Sequence, residues 1–261
     1  MNREIGPVAA ELVANTLVFE DRAQAGRVLA GHLLRFRDEK PIVLALPRGG
    51  VVVGCEVAWA LDAPLDVIAA RKLGAPGREE FGMGAIAPGG VRVLDEAAIA
   101  MLGITEREIE RAIESETREM NRRLHLYRGD RPFPDVRGRT VILVDDGLAT
   151  GVTARAAILF LRQQHPRRIV LSTPVCAKET AERMRTEVDD LVCVSIPPDF
   201  QAVGAWYLRF DQTTDQEVID LLGSAVLDRE QVDTAESADQ DRSSLDSRKG
   251  TTDERERHRT P

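Results

Sequence analysis

The sequence predicts an α/β protein built on a parallel sheet with crossover helices. Three observations carry this. Short apolar runs rich in β-branched residues recur at 42–46, 141–144 and 169–175, the length of buried strands. Between them lie segments whose apolar residues return at helical spacing. Glycine and proline punctuate the boundaries, so strand and helix alternate along the chain, as parallel strands joined by helices require. With 261 residues, 43% of them hydrophobic, there is material for one sizeable core and a small extra lobe.

Residues 1–14 carry no clear signal. Asp21 is placed to cap a helix whose apolar positions are Ala25, Val28, Leu29 and Leu33. Ile42 to Leu46, between Pro41 and Pro47, reads as a buried strand. Pro47-Arg48-Gly49-Gly50 then reads as a loop, Val51 to Leu61 as a helix and Leu65 to Ala70 as a second strand. Arg71 to Gly90, rich in glycine, proline and charge, is expected to be a mobile loop or hairpin. Thr105 and Glu108 fit a capping box, and Ile109, Ile113, Met120, Leu124 and Tyr127 share one face of the helix behind it. Arg128 to Arg139 is a connector. Val141 to Val144 is the clearest strand, a helix follows Gly151, and Ile169 to Val175 and Leu191 to Ile196 are further strands with a helix between them. Thr214 and Glu217 cap a last helix reaching about Leu227. Residues 228–261 contain four apolar residues, Val232, Ala235, Ala238 and Leu245, too few to offset the entropy of ordering, so a disordered tail is expected after a domain spanning 15–227.

The net charge of −8 disfavours general binding to nucleic acid. Cys55, Cys176 and Cys193 sit among apolar residues without CxxC spacing, which reads as buried thiols in a reducing compartment. The four histidines are scattered, so no zinc site can be drawn. No secretory signal and no run long enough to span a bilayer is seen, and a cytoplasmic location is expected. Gly-x-Ser-x-Gly is missing, which removes the usual serine hydrolase. No Gly-x-Gly-x-x-Gly follows the first strand, and Gly82-Met83-Gly84 falls in the expected loop after the second.

The chemistry concentrates in Val141-Ile-Leu-Val-Asp145-Asp146-Gly147-Leu148-Ala149-Thr150-Gly151-Val152-Thr153. Four apolar residues bury a strand, and two carboxylates stand at its carboxyl end, where open parallel sheets bind ligands. A glycine-containing loop with two threonines then opens a helix, and N–H groups at a helix start favour an anion. Carboxylates beside a phosphate cradle would repel a bare phosphate. They make sense if the ligand also offers hydroxyl donors, as a vicinal diol does. A ribose 5-phosphate satisfies both halves. Receiver domains and some phosphatases also place acids after a buried strand, but receivers lack the Gly-x-x-x-Gly-x-Thr loop and those phosphatases want Asp-x-Asp.

This stretch resembles the 5-phosphoribosyl-1-pyrophosphate (PRPP) motif of type I phosphoribosyltransferases, and its Ala149-Thr150-Gly151 spelling is closest to the adenine-type enzymes. The chain from about Phe19 to Leu227 is similar to a bacterial group of phosphoribosyltransferases whose acceptor is poorly defined. Leu46-Pro-Arg48-Gly49-Gly50 resembles the pyrophosphate loop of the xanthine-guanine type, and Arg71-Lys72-Leu-Gly74 the Arg-Lys segment that faces pyrophosphate in adenine-type enzymes. The resemblance implies a parallel-sheet type I phosphoribosyltransferase fold with a small hood, about 196–211, and an inserted helical segment between Asp95 and Tyr127. That segment could cover the site or form the face of a homodimer.

The implied reaction transfers phosphoribose from PRPP to a nitrogenous base and releases pyrophosphate, a chemistry of nucleotide salvage. Residues 145–153 would hold PRPP, with Asp145 and Asp146 on the ribose diol and Thr150, Gly151 and Thr153 on the 5′-phosphate. Arg48, Gly49, Gly50, Arg71 and Lys72 would hold pyrophosphate. Magnesium would be kept mainly by PRPP oxygens, with Asp145 and Asp146 as the protein's candidate ligands. Catalysis would rest on Asp145, Asp146 and Arg48, with Glu80 as a candidate for proton transfer. Two departures matter. Ala149 stands where 6-oxopurine enzymes carry an aspartate that handles a ring proton. Glu80-Phe81-Gly82 matches the adenine-type Glu-Tyr-Gly without its tyrosine, and a solvated loop acid is the plain alternative. Four of the eleven aromatics, Phe200, Trp206, Tyr207 and Phe210, fall in the hood segment. Phe200, Trp206 and Tyr207 are candidates for stacking on an acceptor, or for closing a small core. The same fold also serves regulators that bind PRPP or nucleotides without turnover, the second reading.

Overall fold

A computed structural model describes residues 17–224. Residues 1–14, the tail 228–261 and both edges of the expected domain span lie outside the described residues. In chain order the elements are α1 (Arg22–Leu33), β1 (Ile42–Ala45), α2 (Gly49–Leu61), β2 (Leu65–Val67), β3 (Arg71–Ala75), β4 (Arg78–Ala87), β5 (Val91–Leu94), α3 (Glu96–Leu102) and α4 (Glu106–Arg128). Then follow β6 (Thr140–Val144), α5 (Val152–Gln163), β7 (Arg168–Val175), α6 (Lys178–Met184) and β8 (Asp190–Ser195). A last helix, α7, starts at 215 and is followed to 224; its expected end at Leu227 lies outside the described residues.

Five strands form a parallel sheet in the order β2-β1-β6-β7-β8. Because successive strand residues point to opposite faces, each apolar run feeds two cores. Ile42, Leu44, Val141, Leu143, Ile169 and Leu171 pack with α5 residues such as Ala157 and Leu161. Val43, Ala45, Ile142, Val144 and Val170 pack with Leu29 and Leu33 of α1 and Val53 and Val57 of α2. Burial on both faces explains why these strands read as continuous apolar runs. Cys55 and Cys176 are buried as expected, and Cys193 is partly so.

The expected caps are present. The Asp21 carboxylate accepts from the Gln24 N–H at 2.9 Å. Glu108 accepts from the Thr105 N–H at 2.9 Å, and Thr214 accepts from the Glu217 N–H at 3.1 Å. Two boundaries differ from expectation. The helix α2 begins at Gly49, so both glycines of the expected loop belong to its first turn, and β2 ends at Val67.

Of the two readings of residues 71–90, the hairpin is the one the structure takes, with β3 and β4 paired antiparallel. With β5 they build a second, antiparallel sheet in the order β3-β4-β5. Leu73, Ala75, Met83, Ala85, Ile86, Ala87, Val91 and Val93 are buried; Ala85, Ala87, Val91 and Val93 pack toward α5 and Leu73, Met83 and Ile86 toward the long helix α4, so both faces of the sheet are covered. Gly82-Met83-Gly84 therefore lies in β4, not in a loop. A Cβ at Gly84 would sit 2.1 Å from the Val93 carbonyl oxygen, so the close approach of β4 to β5 requires glycine there.

The helix α4 covers this second sheet, with Ile109 and Met120 against Leu73, Met83 and Ile86. At its end the buried Arg128 donates from Nε to Asp66 Oδ1 at 2.9 Å and also to the Val67 carbonyl. Tyr127 OH donates to Asp215 Oδ1 at 2.5 Å. The inserted helix is thus fastened to the sheet edge and to the start of α7. Among the described residues no helix is long and apolar enough to cross a membrane.

Candidate active site

The strand β6 ends at Val144, and Asp145 and Asp146 follow where the parallel strands stop. The Asp145 N–H donates to the Ser172 carbonyl at 3.2 Å, and the Asp146 N–H donates to Asp145 Oδ1 at 2.9 Å. Burial above all, and then the neighbouring Asp146 charge, push the Asp145 carboxyl well above the usual carboxylate range. The Asp146 N–H and the Lys72 ammonium oppose that rise. Lys72 is therefore within electrostatic reach of Asp145.

The loop after the acids is held from below. Leu148 is buried; its N–H donates to the Val175 carbonyl and its carbonyl accepts from Ala177, both at 2.9 Å. The Ala149 carbonyl accepts from Thr180 Oγ1 at 2.5 Å, and the Thr150 carbonyl accepts from Arg183. With these carbonyls engaged by α6, the N–H groups at 149–154 have no protein partner among the described residues. Such a run of free N–H groups at the start of α5 suits a phosphate. Gly151 takes φ of +66°, and a Cβ there would lie 2.7 Å from Thr180 Cγ2. Gly151→Ala should lower stability by about 1–2 kcal/mol through the left-handed conformation. It should also weaken inorganic phosphate binding; a thermal melt and a phosphate titration check both.

The glycines of the β1–α2 turn close on the same acids. A Cβ at Gly49 would fall 2.0 Å from Asp146 Oδ2, and one at Gly50 would fall 3.1 Å from Asp145 Cα. The Pro47–Arg48 peptide is cis. Arg48 faces Asp215, with Nη1 3.9 Å from Oδ1. Arg71 is held at 2.6 Å by Glu116 of α4. Glu80 falls in β4, and its side chain is outside the described part of the structure. The strand ends thus gather Asp145, Asp146, Gly49, Gly50 and Lys72, while Arg48 and Arg71 are turned to carboxylates. A cleft of about 550 Å³ between β3 and α4 shares Lys72 with this site.

The hood packs directly on the acid loop. A Cβ at Gly147 would meet Val203 Cγ1 at 2.3 Å, and Tyr207 OH donates to the Asp146 carbonyl at 2.5 Å. Trp206 and Tyr207 are buried with Phe19, Ala25 and Val175, and Phe200 packs against them. Burial chiefly raises the Tyr207 hydroxyl's pKa, so it stays a neutral donor. Trp206 Nε1 is buried without a hydrogen-bond partner among the described residues. Phe210 lies 5.0 Å from Tyr207, centroid to centroid.

One participant escaped the sequence reading. Arg22, at the start of α1, donates from Nε to Asp146 Oδ2 at 2.7 Å and from Nη1 to the Asp211 carbonyl at 2.7 Å. A lone arginine after a helix cap carries no motif, and only the fold brings it across 124 residues to the acid pair.

The family model described as "Phosphoribosyl transferase domain" matches residues 20–208, which include every strand, the acid loop and most of the hood. Two Mycobacterium tuberculosis proteins, provisionally named phosphoribosyl transferases, are 39% identical over 211 residues, covering 81% of this chain and 48% of theirs. The chain thus spans about half the length of the curated relatives it matches. A crystal structure of a Thermus thermophilus protein is 43% identical with a TM-score of 0.66, covering 78% of this chain and 97% of that one. Sheet order, acid loop and sequence relatives agree: this α/β chain has the type I phosphoribosyltransferase fold and belongs to the phosphoribosyl transferase domain family.

Proposed function

We propose that the protein transfers the 5-phosphoribosyl group of PRPP to a nitrogenous, planar acceptor and releases pyrophosphate. One observation carries this reading: two adjacent carboxylates at the end of β6 run straight into a loop whose N–H groups at 149–154 have no protein partner among the described residues. That combination accepts hydroxyls and binds phosphate in one ligand.

In this reading residues 147–153 hold the 5′-phosphate and Asp145 and Asp146 the ribose diol, so binding energy far from the reacting carbon orients it. Arg48, Arg71 and Lys72, with the turn at Gly49 and Gly50, receive the leaving pyrophosphate. Arg48 and Arg71 must exchange Asp215 and Glu116 for phosphate oxygens. Magnesium fits the donor set: substrate oxygens with one or two carboxylates are its usual company, and the described residues include no group of three or more acidic, His or Cys side chains that could cage an ion. When bound, magnesium would neutralise charge on the diphosphate. The acceptor would enter beside the hood, where Phe200 and Phe210 are the aromatic rings with exposed surface. The buried Trp206 and Tyr207 would support that wall from behind. Ala149 carries no proton for the base, which leaves Glu80 as the candidate loop acid. We assign this chemistry to nucleotide salvage in the cytoplasm, as the family resemblance implies.

The second reading, a PRPP- or nucleotide-binding regulator, draws on the pairing of both arginines with protein carboxylates. Turnover separates the two. Pyrophosphate release is measured with PRPP, magnesium and a panel of purine, pyrimidine and pyridine bases. Release that depends on one class of base supports the transferase; PRPP binding without release from any base supports the regulator.

A further inference from the structure

We propose that Arg22 is a positioning residue that fixes the Asp146 carboxylate for a ribose diol and ties the hood to the donor site; the assignment rests on the PRPP reading. Three contacts converge on its guanidinium, and a glycine leaves room for it. Nε donates to Asp146 Oδ2 and Nη1 to the Asp211 carbonyl, each at 2.7 Å. The Phe210 ring lies over the group, with Cζ 3.8 Å from the centroid. Gly49 of the β1–α2 turn leaves the space it needs, since a Cβ there would lie 2.6 Å from Arg22 Nε. The side chain is 12% exposed and that of Asp146 16%.

Adjacent carboxylates at one strand end repel, and an ordinary solution is to share a proton or recruit a cation. Arg22 supplies the cation to one member of the pair. A planar guanidinium also fixes the plane of the carboxylate it grips, which an ammonium does not. An arginine-paired carboxylate retains lone pairs for ligand hydroxyls. Asp146 is thus held twice, by Arg22 at the side chain and by Tyr207 at the carbonyl. Arg22 itself binds hood residues 210 and 211 from α1, so the hood cannot shift without loosening the acid that would face the sugar.

The test compares wild type, Arg22→Met and Arg22→Lys by calorimetry with ribose 5-phosphate, 2-deoxyribose 5-phosphate and magnesium pyrophosphate. Wild type should prefer the ribose ligand. Arg22→Met should lose about tenfold of that preference, the worth of one hydrogen bond to a charged group. Its pyrophosphate affinity should stay unchanged, because the turn at Gly49 and Gly50 is intact. Arg22→Lys, which keeps the charge without the fork, should fall between, and it carries the comparison if Arg22→Met unfolds. Full discrimination in both variants overturns the assignment, as does an equal loss for ribose ligand and pyrophosphate, which would make Arg22 a general anchor. A wild type that binds neither sugar phosphate nor PRPP overturns the donor reading itself, and the Arg22 assignment with it.

Discussion

Asp145→Asn should weaken binding of PRPP with magnesium by about 10–150-fold, the roughly 1.5–3 kcal/mol of a hydrogen bond to a charged group. The same substitution should stabilise the free protein at neutral pH. Burial and the Asp146 charge raise the Asp145 carboxyl above its unfolded value. For an acid whose pKa is raised on folding, the folded state binds more protons. Its stability contribution is fully present below the unfolded pKa and is lost as pH rises through the folded one. Asparagine carries no charge to desolvate, so the penalty disappears. The melting temperature of the variant should exceed that of wild type at neutral pH, by about 2–4 °C for each kcal/mol relieved. The gap should close as pH falls toward the ordinary carboxylate range. Melting curves from acid to neutral pH, without ligand, check this. A variant less stable than wild type throughout would show that the carboxyl is well solvated and that its position has another origin.

Arg128→Ala should cost the fold about 3–5 kcal/mol, because it strands a carboxylate in poor contact with water. Arg128 is 8% exposed at the side chain and Asp66, its partner, 14%. The arginine also donates to the Val67 carbonyl at the end of β2 and lies 4.9 Å from the Phe133 ring centroid. It therefore joins the inserted helix, the edge strand and the connector in one group. Denaturant unfolding measures the loss. Adding Asp66→Asn to Arg128→Ala should recover part of it, since the uncompensated charge is then gone. Equal losses in the single and double variants would show that packing, not charge, holds the joint.

Much of the fold was legible in the sequence because strong local signals agreed with the tertiary structure. The runs at 42–46, 141–144 and 169–175 are buried on both faces, which makes them conspicuous. The caps at Asp21, Thr105 and Thr214 depend on side chains within three residues. The acid loop was legible because its parts lie side by side in the chain. The hairpin at 71–90 was legible only as one of two readings, and its extension by β5 was missed, because of the glycines at 74, 77, 82, 84, 89 and 90. They dilute the alternation of Leu73, Ala75, Met83, Ala85 and Ala87, yet Gly84 is what lets β4 and β5 close. Arg22 was hidden because its role depends on a contact 124 residues away. The orientations of Arg48 and Arg71 toward Asp215 and Glu116 were hidden for the same reason.

Calorimetric titration of PRPP with magnesium into the wild-type protein, with Asp146→Asn beside it, tests the donor site most directly. Saturable binding by wild type, weakened about 10–150-fold in the variant, is the expected result. A folded wild type that takes up no PRPP would contradict the donor reading, and the acid pair at the end of β6 would then serve something other than a phosphoribosyl donor.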